Sequence, residues 1–546
     1  MKRPLLSLAL AGTLFAGSSC AVFTDAKAAA VRGLILDGRE LLDANRPDEA
    51  QVVFEEAASM DDSVGTQLWV LRSWMDQGRT NDTLDAIDAL AKAGVEGPEI
   101  DYLYGMAFAR RAQGKVALGD VDGSVQMNFE DAVDLLHSAV EADPERFQDA
   151  YPALAESAWM SLNLPLARSA AESSVQAFPA RGDDELLLGR IAFSQFRSAY
   201  DAAGEIDATA DAHWAVARDS FQNALAKYGE ADEEGEEFVL ADAQVQLANA
   251  MLWKEDVTAA SAAYSAAIGW APEAVDYGQV RGLFEAPAFR DTLANGLAGF
   301  ETRLGTETGR TTTLIWWLGY ANYAAGSNAE AEASFQRALA LEPAYVNAWF
   351  YTALARYNEQ DWPGTIEALR SGWDADPAAI VAEMQTNLEL NLSKVSYVVG
   401  WCATEERLAD AALLSRINAE SALDVPTYWS DLGLFLRDHG ATLTEMEPAM
   451  GFFEDAYKSY SRALELAPAD PQIMNDTAVM LHYYLRRDFE TALAMYARAG
   501  KLAQAGLESG ELSAELVPIY ETALRDATEN ATLLKEALSL EAPEQG

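Results

Sequence analysis

Side chains able to do acid–base, nucleophilic or metal chemistry are few and scattered in this chain. The four histidines stand far apart, at His137, His213, His439 and His482. With only two cysteines, they leave little material for a His- or Cys-based metal site. The motifs GxxxxGK(S/T), HExxH, CxxC and GxSxG, which mark phosphate-binding, zinc-hydrolase, redox and serine-hydrolase sites, do not occur. Carboxylate pairs occur everywhere, so none stands out as an acid–base couple. We therefore predict no catalytic centre, no metal and no cofactor, and expect that the chain is not an enzyme.

The excess of acidic residues limits the kinds of partner that the chain can bind. Asp and Glu number 86 and Lys and Arg number 39, so the formal net charge is -47 over 546 residues. Nucleic-acid binding needs clustered basic side chains to neutralise phosphates, so we expect no nucleic-acid partner. Half of the chain is hydrophobic, which allows a large core and argues against intrinsic disorder.

The N-terminus has the three-part pattern of an export signal. Residues 1–3 give a basic start, residues 5–15 form an apolar run too short to span a bilayer, and small residues lead to Cys20. Residues 1–20 resemble the signal peptide of a bacterial lipoprotein, in which the cysteine is lipidated and becomes the mature N-terminus. The resemblance implies a lipid anchor at Cys20. It departs from the pattern at Gly17, where such signals usually have Leu.

The expected location follows from this signal. Ala21, not Asp, follows Cys20, which in the Gram-negative sorting rule favours the outer membrane. We therefore expect a lipid-anchored protein of the cell envelope, in the outer membrane and facing the periplasm. The alternative is ordinary signal cleavage, for example after Ala28 or Ala30, which would give a secreted or soluble periplasmic protein. If Cys20 carries the lipid, Cys402 is the one remaining thiol, and its apolar surroundings predict a buried, inert side chain.

An internal repeat runs through most of the remaining sequence. An Ala is followed four positions later by an aromatic residue or Leu, and three positions further by another Ala. This spacing puts all three residues on one face of a helix. The seven copies are Ala50-Phe54-Ala57, Ala132-Leu136-Ala139, Ala217-Phe221-Ala224, Ala260-Tyr264-Ala267, Ala331-Phe335-Ala338, Ala456-Tyr460-Ala463 and Ala492-Tyr496-Ala499.

Small residues and prolines complete the repeat. Gly38 and Gly319 stand twelve residues before the first Ala of their triples, where a missing side chain lets two helices approach closely. Pro343 and Pro377 lie 34 residues apart and mark turns to the next unit. The pattern resembles the tetratricopeptide repeat (TPR), a 34-residue helix–turn–helix unit. The resemblance implies an all-α superhelix of about ten units over residues 31–500, some of them degenerate or with insertions.

The units are not uniform. We predict an N-terminal TPR array at 21–274, an irregular helical joint rich in glycine at 275–311, a C-terminal TPR array at 312–511, and capping helices with a frayed tail at 512–546. Extra residues separate the two helices of three units, at 106–131, 190–216 and 434–455. These insertions are either longer helices or edge loops that could form a binding surface.

The register of the repeat predicts which side chains line a groove. In TPR arrays the first helix of each unit lines the concave groove, and carrying those positions over selects Trp316, Tyr320, Tyr323, Phe350 and Tyr357. Aromatic side chains supply large contact area at low entropy cost, which suits a peptide or an apolar ligand. The alternative is that a tight superhelix buries them against neighbouring repeats.

The same positions near the C-terminus give a polar pair. Asn475 and His482 lie seven residues apart, with Arg486 and Arg487 just beyond. They resemble the asparagine and basic residues with which some TPR grooves clamp a peptide backbone or carboxylate.

These patterns favour a non-catalytic scaffold of the bacterial cell envelope, tethered by lipid, that binds a protein or peptide in its concave groove. The alternative is a ligand-binding accessory lipoprotein of a solute transport system, with an apolar solute held among the aromatic side chains.

Overall fold

The computed structural model describes residues 21–44, 46–229, 237–283, 286–306 and 309–541. Cys20, the predicted signal at 1–20 and the tail at 542–546 lie outside these residues. The described residues form helices and no strand, which confirms the predicted all-α class. No helix among them is both long and apolar enough to cross a membrane.

The chain divides into two compact units, the first ending at Ala263 and the second beginning at Tyr264. The division falls within one helix, upstream of the joint predicted at 275–311. The helices that lie wholly in the first unit are α1 Ala21–Asp43, α2 Pro47–Met60, α3 Val64–Asp76, α4 Thr80–Lys92, α5 Pro98–Ala117, α6 Gly123–Ala142, α7 Tyr151–Met160, α8 Leu164–Ala177, α9 Gly182–Ala203, α10 Ala208–Tyr228 and α11 Glu237–Leu252. The helix that contains the division is α12 Val257–Trp270.

The second unit continues with further helices. They are α13 Tyr277–Val280, α14 Pro287–Leu304, α15 Arg310–Ala324, α16 Asn328–Leu341, α17 Val346–Asn358, α18 Trp362–Ala375, α19 Pro377–Thr386, α20 Leu392–Thr404, α21 Leu408–Ser421, α22 Pro426–Thr442, α23 Met446–Leu466, α24 Pro471–Val479, α25 Phe489–Ser509 and α26 Val517–Glu541. A π-helical segment, Met480–Tyr484, follows α24 directly.

Helices pair along the chain as the repeat predicts. In the first unit α1 packs on α2, α3 on α4, α5 on α6, α7 on α8 and α9 on α10. In the second unit the pairs are α15 with α16, α17 with α18, α20 with α21, α22 with α23 and α24 with α25. Consecutive helix–turn–helix pairs of this kind form the TPR solenoid fold that the sequence pattern indicates.

The repeated small residues explain why the two helices of a pair lie so close. Ala331, Phe335 and Ala338 of α16 are fully buried, and their face packs on α15. A Cβ atom at Gly319 in α15 would lie 2.5 Å from Phe335 Cε1, nearer than any side chain tolerates. Gly189 makes the same approach to the ring of Phe221. The glycine therefore permits a contact that buries a whole aromatic ring, worth on the order of 2–3 kcal/mol per ring.

The three predicted insertions are longer helices. Helices α5 and α6 have 20 residues each, α9 and α10 have 22 and 21, and α22 and α23 have 17 and 21. The regular pair α15 and α16 has only 15 and 14. The turn between α5 and α6 stays short because Asp122 caps α6, accepting hydrogen bonds from Ser124 N at 2.9 Å and Val125 N at 3.3 Å. Of the two alternatives, the structure therefore has extended helix pairs.

The segment predicted as an irregular joint contains a full helix. Short helical pieces at Pro272–Ala274, α13 and Arg281–Leu283 precede the 18-residue helix α14. Two glycines of α14 interrupt the sequence pattern because they lie at a close helix–helix contact. A Cβ atom at Gly296 would lie 2.6 Å from Ile268 Cγ2, and one at Gly299 would lie 3.6 Å from Gly269 Cα. These two glycines permit packing and do not end the helix.

The C-terminal segment, predicted to contain more than one capping helix, forms a single helix in the structure. Gly510, at φ +66°, ends α25, and the 25-residue α26 then runs unbroken to Glu541. Its buried side chains Ala523, Ala527 and Leu534 belong to the core, and α26 packs on α25 and α24. The prediction of several helices was wrong here because 517–541 contains no residue that stops a helix after Pro518.

Candidate functional site

The aromatic side chains predicted to line a groove lie on α15 and α17 of the second unit, but most of them are covered. Phe350 is fully buried, and Trp316 and Tyr320 are only 8% and 5% exposed. Tyr323 and Tyr357 are partly exposed. The rings pack on one another: Trp316 stacks on Tyr320 with centroids 5.8 Å apart, and Tyr351 lies edge-on to both. The core therefore takes much of the area that a ligand would use.

Other segments of the chain contact part of this aromatic set. Arg281 places its guanidinium 4.8 Å from the centroid of the Tyr320 ring and donates a hydrogen bond from Nε to the Tyr320 hydroxyl. The turn at 387–391 brings Asn387 Nδ2 to within 3.2 Å of the Tyr351 hydroxyl, and Glu389 accepts a hydrogen bond from Tyr323. Burial raises the pKa of Tyr351 to about 12, so this hydroxyl remains a neutral donor and acceptor.

The side chains of the predicted polar pair near the C-terminus are bonded to α26 and α25. Asn475 is 2% exposed, and its Oδ1 accepts a hydrogen bond from Asn530 Nδ2 of α26 at 3.4 Å. His482 lies in the π-helical segment, where Nδ1 is 3.3 Å from the Tyr496 hydroxyl, and burial lowers the pKa of its imidazole. Arg487 pairs through two hydrogen bonds with Glu454, at 2.6 and 2.8 Å. The structure therefore gives each of these side chains an internal partner.

A groove not predicted from the sequence lies in the first unit. A cavity of about 570 Å³ is lined by α5, by the 3-10 turn Gln148–Ala150 with α7, and by α9 and α11. Successive first helices of the pairs contact one another here, α5 with α7, α7 with α9 and α9 with α11. We call this cavity the N-terminal groove. Its apolar lining includes Met106, Ala153, Trp159, Leu187 and Phe238.

The two arginines that line the N-terminal groove are already paired. Arg110 of α5 forms an ion pair with Asp76 of α3, and Arg190 of α9 forms one with Asp242 of α11. Each pair joins the first helices of two neighbouring units, so it holds the groove wall together. Because both guanidinium groups are compensated within the wall, they do not give the groove a positive surface.

Three carboxylates of the groove receive hydrogen bonds from neutral groups only, among the residues that the structure describes. Glu156 accepts from Gln113 Nε2 at 2.5 Å, Asp184 Oδ1 from Ser174 Oγ at 2.9 Å, and Asp183 from the Tyr228 hydroxyl. Burial raises the pKa of both Glu156 and Asp184. Asp184 is 4% exposed, and its Oδ2 has no hydrogen-bond partner among the residues that the structure describes.

The sequence held a signal for this groove that the aromatic pattern obscured. Met106, Arg110 and Gln113 recur at the spacing of one helix face, and so do Asp183 and Arg190. In a chain with 86 acidic residues such carboxylates look like solvated surface. Only the packing of four helices shows that they meet in one cavity.

Comparisons with known proteins extend to the fold alone. No protein-family model matches the chain, and no curated protein matches it. The chain is similar to the C-terminal part of a TPR repeat-containing protein from Cytophaga hutchinsonii, at 14% identity over 59% of this chain and 99% of that chain, with a TM-score of 0.34. It is also similar to yeast Tom70, at 14% identity over 95% and 98% of the two chains and a TM-score of 0.23. A third is YrrB, described as a TPR protein with an unusual peptide-binding site, at 12% identity over 40% and 98% and a TM-score of 0.22.

Proposed function

We propose that this protein is a non-catalytic scaffold that holds a protein partner by an extended segment lying in the N-terminal groove. The observation that carries the proposal is the groove itself. Four elements in succession line one cavity of about 570 Å³, with apolar side chains next to hydrogen-bonding carboxylates. Such a mixture can bury apolar side chains of a peptide and bind its polar groups at the same time.

The length of the groove suits a peptide better than a compact solute. Neighbouring packed helices lie roughly 8–10 Å apart, so four first helices in a row span about 25–30 Å. An extended chain advances about 3.3 Å per residue, which corresponds to about eight residues along the groove. A bound segment of this length would contact every helix that lines the cavity.

We further propose that the protein acts in the bacterial cell envelope, anchored by a lipid on Cys20 in the outer membrane and facing the periplasm. The signal-like pattern of residues 1–20 supports this location. Cleavage after Ala28 or Ala30 would instead give a secreted or soluble periplasmic scaffold with the same groove.

Site-specific photo-crosslinking tests the proposed function. A photoreactive phenylalanine analogue replaces Phe238, which is 54% exposed and lines the groove, in the full-length protein in its own cells. The control places the analogue at Met127, which is 63% exposed on α6 and does not line the groove. We expect protein adducts at position 238 that are absent at position 127. If the two positions give the same adducts, or position 238 gives none, the proposal fails.

Native mass spectrometry of the purified protein distinguishes the scaffold from the alternative function, the binding of a small solute. A co-purified small molecule, lost when Phe238 is changed to Ala, would favour a ligand-binding accessory of a transport system. A protein adduct without such a molecule favours the scaffold.

A further inference from the structure

We propose that the N-terminal groove selects a partner segment that carries lysine or arginine side chains, with Glu156 and Asp184 as the acceptors of their positive charge. This inference rests on the proposed function and names the chemistry of the partner.

The lining of the N-terminal groove carries more acidic than basic side chains. Five carboxylates line the groove against two guanidinium groups: Asp149, Glu156, Asp183, Asp184 and Asp242. Asp242 is neutralised by Arg190, and Asp149 is neutralised by Arg72 of α3. The remaining three carboxylates have no ion-pair partner among the described residues, so the groove presents a net negative surface to whatever enters it.

Asp184 independently indicates a binding site for a hydrogen-bond donor. This side chain is 4% exposed and lines the cavity, and its Oδ2 receives no hydrogen bond from any described residue. A buried acceptor without a donor is destabilising, and more so when it is charged. Among the described residues, neither nearby basic group donates a hydrogen bond to Asp184: Lys227 pairs with Glu185, and the Arg181 guanidinium lies 3.9 Å from the centroid of the Phe178 ring. An incoming ammonium or guanidinium group would supply the missing donor.

The apolar lining favours a basic side chain over a bare cation. Lysine and arginine carry long methylene stems that pack on apolar surface while their charged ends reach polar groups. Trp159, Leu187 and Phe238 line the same cavity as Glu156 and Asp184. Trp159 is held in place by a hydrogen bond from Nε1 to Ser194 Oγ at 3.0 Å. An aromatic face beside a carboxylate is also a favourable position for a cation.

Fluorescence anisotropy on the full-length protein tests the proposal. The probes are fluorescein-labelled peptides of about nine residues, alternating leucine with lysine, glutamine or glutamate. We expect the lysine peptide to bind at least about tenfold more tightly than the glutamine peptide, since one charged contact exceeds the 1.4 kcal/mol that tenfold represents. The glutamate peptide should bind more weakly than either.

Matched variants assign the effect to the groove. Glu156→Gln/Asp184→Asn should reduce the affinity for the lysine peptide about tenfold and leave the glutamine peptide unchanged. The control Asp131→Asn/Asp134→Asn removes the same charge from exposed positions on α6 and should change neither. Glu156→Gln alone should show a smaller loss in the same direction, and serves if the double variant fails to fold by circular dichroism.

Three results would overturn the proposal. The first is equal binding of the lysine and glutamine peptides. The second is an equal loss in the groove variant and the α6 control, which would indicate a long-range field and no site. The third is full displacement of the peptide by spermidine at the same concentration, which would show that any polycation suffices. With protein adducts still formed at position 238, each of these results removes the charge selectivity and leaves the scaffold function in place.

Discussion

Arg281 lies over the ring of Tyr320, with its guanidinium carbon 4.8 Å from the ring centroid and its Nε donating to the hydroxyl of the same tyrosine. The two residues are 39 positions apart, on a short 3-10 turn and on helix α15. This contact places a segment from outside the regular repeats on the face that the repeat pattern assigns to ligand binding.

Removal of this cover should weaken the fold slightly. We expect Arg281→Ala to lower the free energy of unfolding by about 0.5–1 kcal/mol, because Arg281 is largely exposed and cation–π contacts at exposed sites are worth that much. Urea titration followed by circular dichroism measures the change. The control is Arg525→Ala, whose side chain is 68% exposed and pairs, within the described part of the chain, with the adjacent Asp526 alone. Equal losses in both variants would show that the Tyr320 contact is not a specific stabiliser.

The small residue of the repeat should be intolerant of a single methyl group. Gly319→Ala places a Cβ atom 2.5 Å from Phe335 Cε1, so we expect a loss of about 1–3 kcal/mol by overpacking. At Gly400 in α20 the new Cβ of Gly400→Ala would meet no described atom within 4 Å beyond its own helix backbone, so this variant should instead gain about 0.5–1 kcal/mol from helix propensity. Thermal and urea unfolding of both variants measure these changes. A stabilising Gly319→Ala would contradict the close helix contact.

The buried carboxyl of Glu156 should make stability depend on pH. Burial raises its folded-state pKa, against the smaller opposing effects of Gln113 and Arg190, so the folded protein holds the proton to a higher pH than the unfolded chain. Stability is therefore lost as pH rises from the ordinary glutamate pKa through the raised value. We expect Glu156→Gln to gain stability relative to the wild type as the pH rises above the ordinary glutamate pKa.

Urea unfolding at a series of pH values measures this difference. The control is Glu130→Gln on α6, which is exposed. A difference between Glu156→Gln and wild type that does not change with pH would exclude a raised pKa at this site.

Cys402 should be inert in the folded protein. Its thiol is fully buried, and burial raises its pKa to about 11, so at pH 8 almost none is present as the reactive thiolate. In a Cys20→Ser protein, where this is the one cysteine left, we expect no labelling by iodoacetamide in buffer and full labelling in urea. Fast labelling of the native protein would contradict the burial of this side chain.

Membrane attachment should depend on Cys20. If the cysteine carries the lipid, the wild type sediments with membranes and Cys20→Ser appears in the soluble fraction, because a lipid anchor is then the means of attachment. Cys402→Ser is the matched control and should fractionate like the wild type. Mass spectrometry of the mature N-terminus checks the modification directly. A protein that begins at Ala29 or Val31, after cleavage at Ala28 or Ala30, would show ordinary signal cleavage.

The repeat units were predictable because their contacts are local. The triple of Ala331, Phe335 and Ala338, together with Gly319, specifies a helix pair whose members are neighbours in the sequence. Helix periodicity and one close approach suffice to predict such a pair. The joint was less predictable, because a glycine is equally consistent with a close helix contact and with the end of a helix. Only the position of Ile268 and Gly269 shows that Gly296 and Gly299 lie at a helix contact.

The sequence by itself determined the all-α class, the helix pairs and the small residues between them, since each of these depends on a few positions within one repeat. Tertiary structure alone decided which side chains remain accessible. Tyr320 and Tyr323 are covered by Arg281 and by Glu389, which are 39 and 66 residues away from them. Glu156 and Asp184 share a cavity because successive helices stack. Whether a groove is covered depends on contacts from segments that are far apart in the chain, and no local sequence pattern specifies those contacts.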